Sequence, residues 1–162
     1  MASRSERDEL GHVKATAKMS VNIALIGISF TVFTLILTLK PELLKNEFLA
    51  LQIVLSIPFL ISSTLARMRH VSAAEEKRWE SFGFVGFILA YSFLINSIGI
   101  LLDIFASVGI AMVFFAVNIA SAVVYSAIEV SYNRSMLKER LFKDLAFFLI
   151  ILFLGIVPSF GL

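Results

Sequence analysis

The sequence predicts an all-α integral membrane protein, a five-helix transmembrane bundle with its amino terminus in the cytoplasm and its carboxyl terminus outside. Three observations predict it. Hydrophobic residues make up 59% of the 162 residues and charged residues 16%, against roughly 25% charged in soluble domains; mean hydropathy is +0.91. Five stretches, residues 21–39, 48–66, 81–102, 104–128 and 145–162, contain no Asp, Glu, Lys or Arg. The basic residues between them fall in alternating groups.

The five stretches hold 19, 19, 22, 25 and 18 residues. A helix needs about 20 apolar residues to cross ~30 Å of hydrocarbon. Backbone amides in lipid must be paired within the segment, so each stretch is expected to be helical rather than extended. Residues 1–19 carry Arg4, Arg7, Lys14 and Lys18 among three acidic residues. Leu10, Val13 and Ala17 share one face there, which predicts a short interfacial helix. No short apolar core with a small-residue cleavage site follows, so no cleaved signal peptide is expected.

The third and fourth stretches are separated by one charge, Asp103, and together are too long for a single span. A tight turn over residues 102–105 is expected, with Asp103 capping the fourth helix through its carboxylate. Ser72 and Glu75 have the spacing of a capping box. A helix starting there would run through Trp79 into the third span for roughly 30 residues, with Trp79 at the lipid headgroups. Residues 135–144 read as a helical lead into the fifth span. Pro58 is expected to kink the second span, and Pro158 and Gly161 to end the last.

Loop charges set the orientation. Lys and Arg number four in the amino-terminal segment, two in the first loop, four in the second, none in the third and four in the fourth. One side thus carries twelve and the other two. The positive-inside rule assigns the twelve to the cytoplasm, in a multi-pass protein of the cell membrane. The formal charge of +2 reflects loops facing anionic lipid; no basic patch interleaved with aromatics points to nucleic acid.

Polar side chains form stripes at helical spacing. In the first span Ala24, Gly27, Thr31, Thr34 and Thr38 align, with Ser20 below. Gln52, Ser56 and Ser63 align in the second. In the third, Ser92, Asn96, Gly99 and Asp103 share a face. In the fourth, Asn118, Ser121, Tyr125 and Glu129 do. The fifth has almost no polar side chain before Ser159. Small residues and hydroxyls at such positions serve helix packing. Asn96 and Asn118 carry more information, because a buried amide has several hydrogen-bonding positions to satisfy. They satisfy one another between neighbouring helices, or they face water.

Ser92, Asn96, Asp103, Asn118, Ser121, Tyr125 and Glu129 are therefore the candidate pore or cavity lining. Asp103 is either a cap or one member of a carboxylate ring at an outer mouth. Glu129 is expected to pair with Arg134 or a second-loop arginine, or to charge a cytoplasmic vestibule. Arg67, Arg69, Lys77, Arg78 and Trp79 are the candidate contacts to lipid or a partner protein.

No ionisable residue lies mid-span, which argues against proton relays and arginine-rich voltage sensors. There are no cysteines, and the two histidines, His12 and His70, are not at metal-ligand spacing. No nucleophile elbow, phosphate-cradling loop or HExxH motif is present. The expectation is a non-enzymatic protein without cofactor or bound metal. Three roles fit: a homo-oligomeric channel with weak preference for cations, a scaffold binding a partner or anionic lipid, or a small dimeric solute transporter.

Overall fold

In the computed structural model of the chain, the described residues are 4–72, 76–132, 134 and 137–160. Among them there is helix and turn but no strand. Helix α1 covers Arg4–Leu39, α2 Glu47–Ser72, α3 Glu76–Phe105, α4 Val108–Tyr132 and α5 Leu137–Ile151; a wider turn over Leu152–Ile156 leads to α6, Val157–Ser159. Five segments are long and apolar enough to cross a membrane: Thr16–Leu39, Glu47–Arg69, Arg78–Phe105, Val108–Tyr132 and Arg140–Ser159. The all-α fold with five spanning-length helices is as the sequence predicts.

Two compact units divide the chain, Met1–Tyr91 and Ser92–Leu162, and α3 runs from the first into the second. In the first unit α1 and α2 form an antiparallel hairpin. Its seam advances by sevens on one helix and recedes by sevens on the other. Asn22 bonds Ser63 and Ser29 bonds Ser56; one step further along each helix, Ile36 and Leu49 are both buried. A seven-residue repeat keeps one face of a helix towards its neighbour over several turns. The hairpin loop is a short 3₁₀ turn, Pro41–Lys45. Asn46 then caps α2, its Oδ1 accepting from the N–H of Leu49 at 3.1 Å, the usual geometry for an N-cap amide.

Several element boundaries differ from the sequence expectation. No break separates an interfacial helix from the first span: α1 is continuous for 36 residues, roughly 54 Å at 1.5 Å per residue. The third helix is 30 residues long, as expected, but it starts at Glu76; Ser72 is the last residue of α2, and Glu75, the other member of the expected capping box, lies outside the described residues. Pro58 sits inside an unbroken α2.

The α3–α4 turn falls three residues later than Asp103 suggested. The carbonyl of Leu102 accepts from the N–H groups of both Ala106 and Ser107. Ser107 then caps α4, its Oγ accepting from the N–H of Ile110 at 3.3 Å. Asp103 is therefore not a cap. It lies half-buried in the last turn of α3, where carbonyls rather than N–H groups are unsatisfied.

Pro158 has a larger effect than terminating a helix. It lacks an N–H, and its ring crowds the carbonyl four residues earlier. Just before it the chain widens to a π turn, with the N–H of Val157 reaching back five residues to the carbonyl of Leu152. Gly155 is buried in this turn.

Candidate functional site

The polar groups inside the helices sort into four arrangements. The first is the α1–α2 seam. Asn22, which the stripe reading missed, is fully buried, and its Nδ2 donates to the hydroxyls of Ser63 and Thr64 at 3.1 Å each. Ser63 in turn donates to the carbonyl of Gly83 on α3. A Cβ at Gly83 would lie 3.1 Å from that of Ala66, so glycine lets α2 and α3 approach closely, as small residues do in lipid-phase helix pairs. Gln52, Ser56 and Ser63 do share one buried face. The threonine face of α1 is different. Ala24, Gly27, Thr31, Thr34 and Thr38 are all exposed, and Thr31 and Thr38 bond to the carbonyls of Gly27 and Thr34 on their own helix.

The second arrangement centres on Asn96. Ser92, Asn96 and Gly99 do align, and all are buried. Asn96 is fully enclosed, its Nδ2 donating to the carbonyl of Ile150 on α5 at 3.4 Å. Its Oδ1 faces Gly155, where a Cβ would collide with it and with the ring of Phe115. Gly99 packs against the same ring; a Cβ there would fall on it. No hydrogen-bond donor reaches Oδ1 of Asn96 or Oγ of Ser92. Asn96 thus reads as a packing residue of its own chain. It does not bond to Asn118, whose Nδ2 donates to the carbonyl of Phe114 on its own helix at 2.9 Å.

The third arrangement joins α4 to α5. Glu129 pairs with Arg140, not with Arg134, because α5 folds back antiparallel to α4 and brings Arg140 alongside. The Arg140 guanidinium also lies 5.6 Å from the ring centroid of Tyr125, within cation–π range. One turn along, Ser126 donates to Asp144 at 2.8 Å. From the sequence Arg140 is one of the basic charges that set the orientation, and both it and Asp144 fall in the helical lead of residues 135–144. Their partners could be anticipated only by knowing that α4 and α5 are neighbours.

The fourth is a surface. On α4, Ser121 is exposed, Asn118 is half-buried and Tyr125 is 62% exposed. Only 11% of the spanning window of α4 is buried within the chain, and Ser121 and Tyr125 are on its uncovered side. At the basic end of α2 and α3, the Arg69 guanidinium stacks 5.8 Å from the Trp79 centroid, and Arg67 lies 5.1 Å above Phe87. Arg78 is exposed, and the side chain of Lys77 lies outside the described residues. Lys18 and Glu80 form an open ion pair at 3.9 Å, of little energetic weight at such exposure. Among the described residues no three His, Asp or Glu gather as metal ligands.

Length, apolarity and internally paired polar groups define a polytopic helical membrane protein. No family model, curated protein or solved structure matches the chain.

Proposed function

We propose that the chain assembles into a homo-oligomeric channel for small cations, lined by the outward face of α4. The supporting observation is the exposure of the Ser121 and Tyr125 side chains on a spanning helix, in line with half-buried Asn118. Exposed hydroxyl groups within a spanning helix are disfavoured against hydrocarbon. Another copy of the stripe, or water along a shared axis, satisfies them. The apolar side chains Leu145, Phe148 and Leu149 on α5, and Phe153 in the turn after it, are exposed and suit lipid.

In this reading Asn96 and Ser92 hold the subunit together and do not line the conduit. Asp103, close in sequence to the start of α4, supplies carboxylates at the outer mouth, where they raise the local cation concentration. Tyr125 and the Glu129–Arg140 pair lie towards the cytoplasmic end.

The test is purified protein in planar bilayers, with subunit number from native mass spectrometry. Unitary cation conductance, reshaped by Asn118→Leu, is expected. Electrically silent bilayers containing intact oligomers, or a monomer at membrane-like protein densities, would overturn it.

A second reading, a scaffold that recruits a partner protein, draws on the basic side chains at the α2–α3 end. Pull-down of one stoichiometric partner, lost on neutralising Arg67, Arg69, Lys77 and Arg78, would favour it over a conduit.

A further inference from the structure

Within the first unit an open groove of about 570 Å³ lies against α2 and α3, with Leu65, Ala66, Met68, Arg69, Trp79 and Phe82 in its lining. The volume falls in the range of roughly 300–1,000 Å³ typical of ligand sites. Its chemistry is graded along its length. Leu65, Met68 and Phe82 are each more than half exposed and present an apolar wall. Arg69 ends the second spanning segment and Trp79 stands one residue inside the third. Leu65 and Arg69 are one helical turn apart, about 6 Å along the axis. The apolar wall therefore runs towards the hydrocarbon, while the cation and the indole sit at its edge. Among the described lining residues the only charge is that of Arg69. Trp79 makes an edge-on contact with Phe82, 6.4 Å between centroids, and a cation–π contact with Arg69, so these three side chains are in mutual contact along the groove.

We propose that this groove is a binding site for one anionic phospholipid. An acyl chain lies along Leu65, Met68 and Phe82, and the headgroup phosphate meets the Arg69 guanidinium beside Trp79. Arginine offers a phosphate a paired, planar set of donors, and basic pockets between spanning helices select anionic headgroups. A zwitterionic lipid carries the same phosphate but cancels it with its own cation, so the site discriminates by net headgroup charge. The proposal does not depend on conduction, and its test reads no current.

Trp79 is the only tryptophan in the chain, so its fluorescence reports on this groove alone. The experiment reconstitutes the full chain in vesicles of neutral phosphatidylcholine containing a low mole fraction of brominated phosphatidylglycerol or, separately, brominated phosphatidylcholine. Saturable quenching of Trp79, severalfold greater with the brominated anionic lipid, is expected. Arg69→Gln removes the preference, and Lys45→Gln, at the opposite end of the hairpin, preserves it. Should Arg69→Gln fail to fold, competition on the unsubstituted chain decides: unlabelled phosphatidylglycerol relieves the quenching and added phosphatidylcholine does not. Equal quenching by the two lipids, a preference surviving Arg69→Gln, or equal relief by both competitors would overturn the site.

Discussion

Asn96 on α3 donates to the carbonyl of Ile150 on α5 while its Oδ1 presses on Gly155. The amide and the glycine are complementary in shape. Gly155 lies in the π turn that precedes Pro158, and π turns inside α-helices recur at functional sites.

Gly155→Ala should therefore destabilise the protein. The added methyl meets Asn96 and Phe115 in a filled interior, and overpacking of this kind costs about 1–3 kcal/mol. Gly27→Ala is the matched control, since nothing lies within 4 Å of a Cβ there. It should be neutral or stabilising by up to about 1 kcal/mol through helix propensity. Reversible unfolding in detergent micelles measures both. A Gly155→Ala variant as stable as the parent would refute the packing account.

Asn22 and Ser63 should be energetically coupled. Interhelical hydrogen bonds between spanning helices contribute about 0.6–2 kcal/mol, and Asn22 makes two. A double-mutant cycle with Asn22→Ala and Ser63→Ala should give coupling of about 0.6 kcal/mol or more. Additive losses would mean the bond contributes nothing.

The Glu129–Arg140 pair is shielded on both sides, at 29% and 16% side-chain exposure. Glu129→Gln removes one charge and leaves Arg140 facing a neutral amide and a tyrosine ring. A loss of about 1–3 kcal/mol is expected, with partial recovery in the swap Glu129→Arg with Arg140→Glu. Recovery in the swap distinguishes pairing from a general intolerance of substitution at either position.

Position 103 and position 107 should respond oppositely. Ser107→Ala removes an N-cap and should destabilise by about 1 kcal/mol. Asp103→Asn removes a carboxylate from the carbonyl-rich end of α3 and should be neutral or stabilising by about 0.3–1 kcal/mol. The reverse ranking would restore Asp103 as the cap.

The chain has no cysteine, so single cysteines report on their own sites. In membranes, Ser121→Cys should react with a membrane-impermeant charged thiol reagent and lose conductance as it does. An adjacent exposed valine, Val123→Cys, should react slowly if it faces lipid. Equal sluggishness at both positions would place Ser121 against hydrocarbon and remove the basis for a lined axis.

The spans were legible because lipid makes the absence of charge over about 20 residues nearly sufficient for a helix. The interior was less so. The turn was sought at Asp103 because charges ordinarily leave the membrane, yet one half-buried carboxylate at a helix end is tolerated and Ser107 holds the corner. Counting hydroxyls drew attention to the threonine face of α1, while the buried face turned on the single amide of Asn22. Its spacing from Ser29 and Ile36 in one direction, against Ser63, Ser56 and Leu49 in the other, was a readable signal. The partners of Asn96, Glu129 and Asp144 depend on which helices are neighbours, and that is not written in the periodicity of any one of them.

The distances along the chain at which these polar groups find partners bear on how the protein is made. Asn22 meets Ser63 and Thr64 within its own hairpin, 41 and 42 residues away, so the first two helices can leave the insertion machinery with their amide already quenched. Asn96 is bonded by Ile150, 54 residues downstream. Its partner is synthesised well after it, and until α5 arrives the third helix carries a bare carboxamide into lipid. Helix α5 is therefore the keystone of its unit, and a chain stalled before it would present quality-control proteases with a polar group they can recognise.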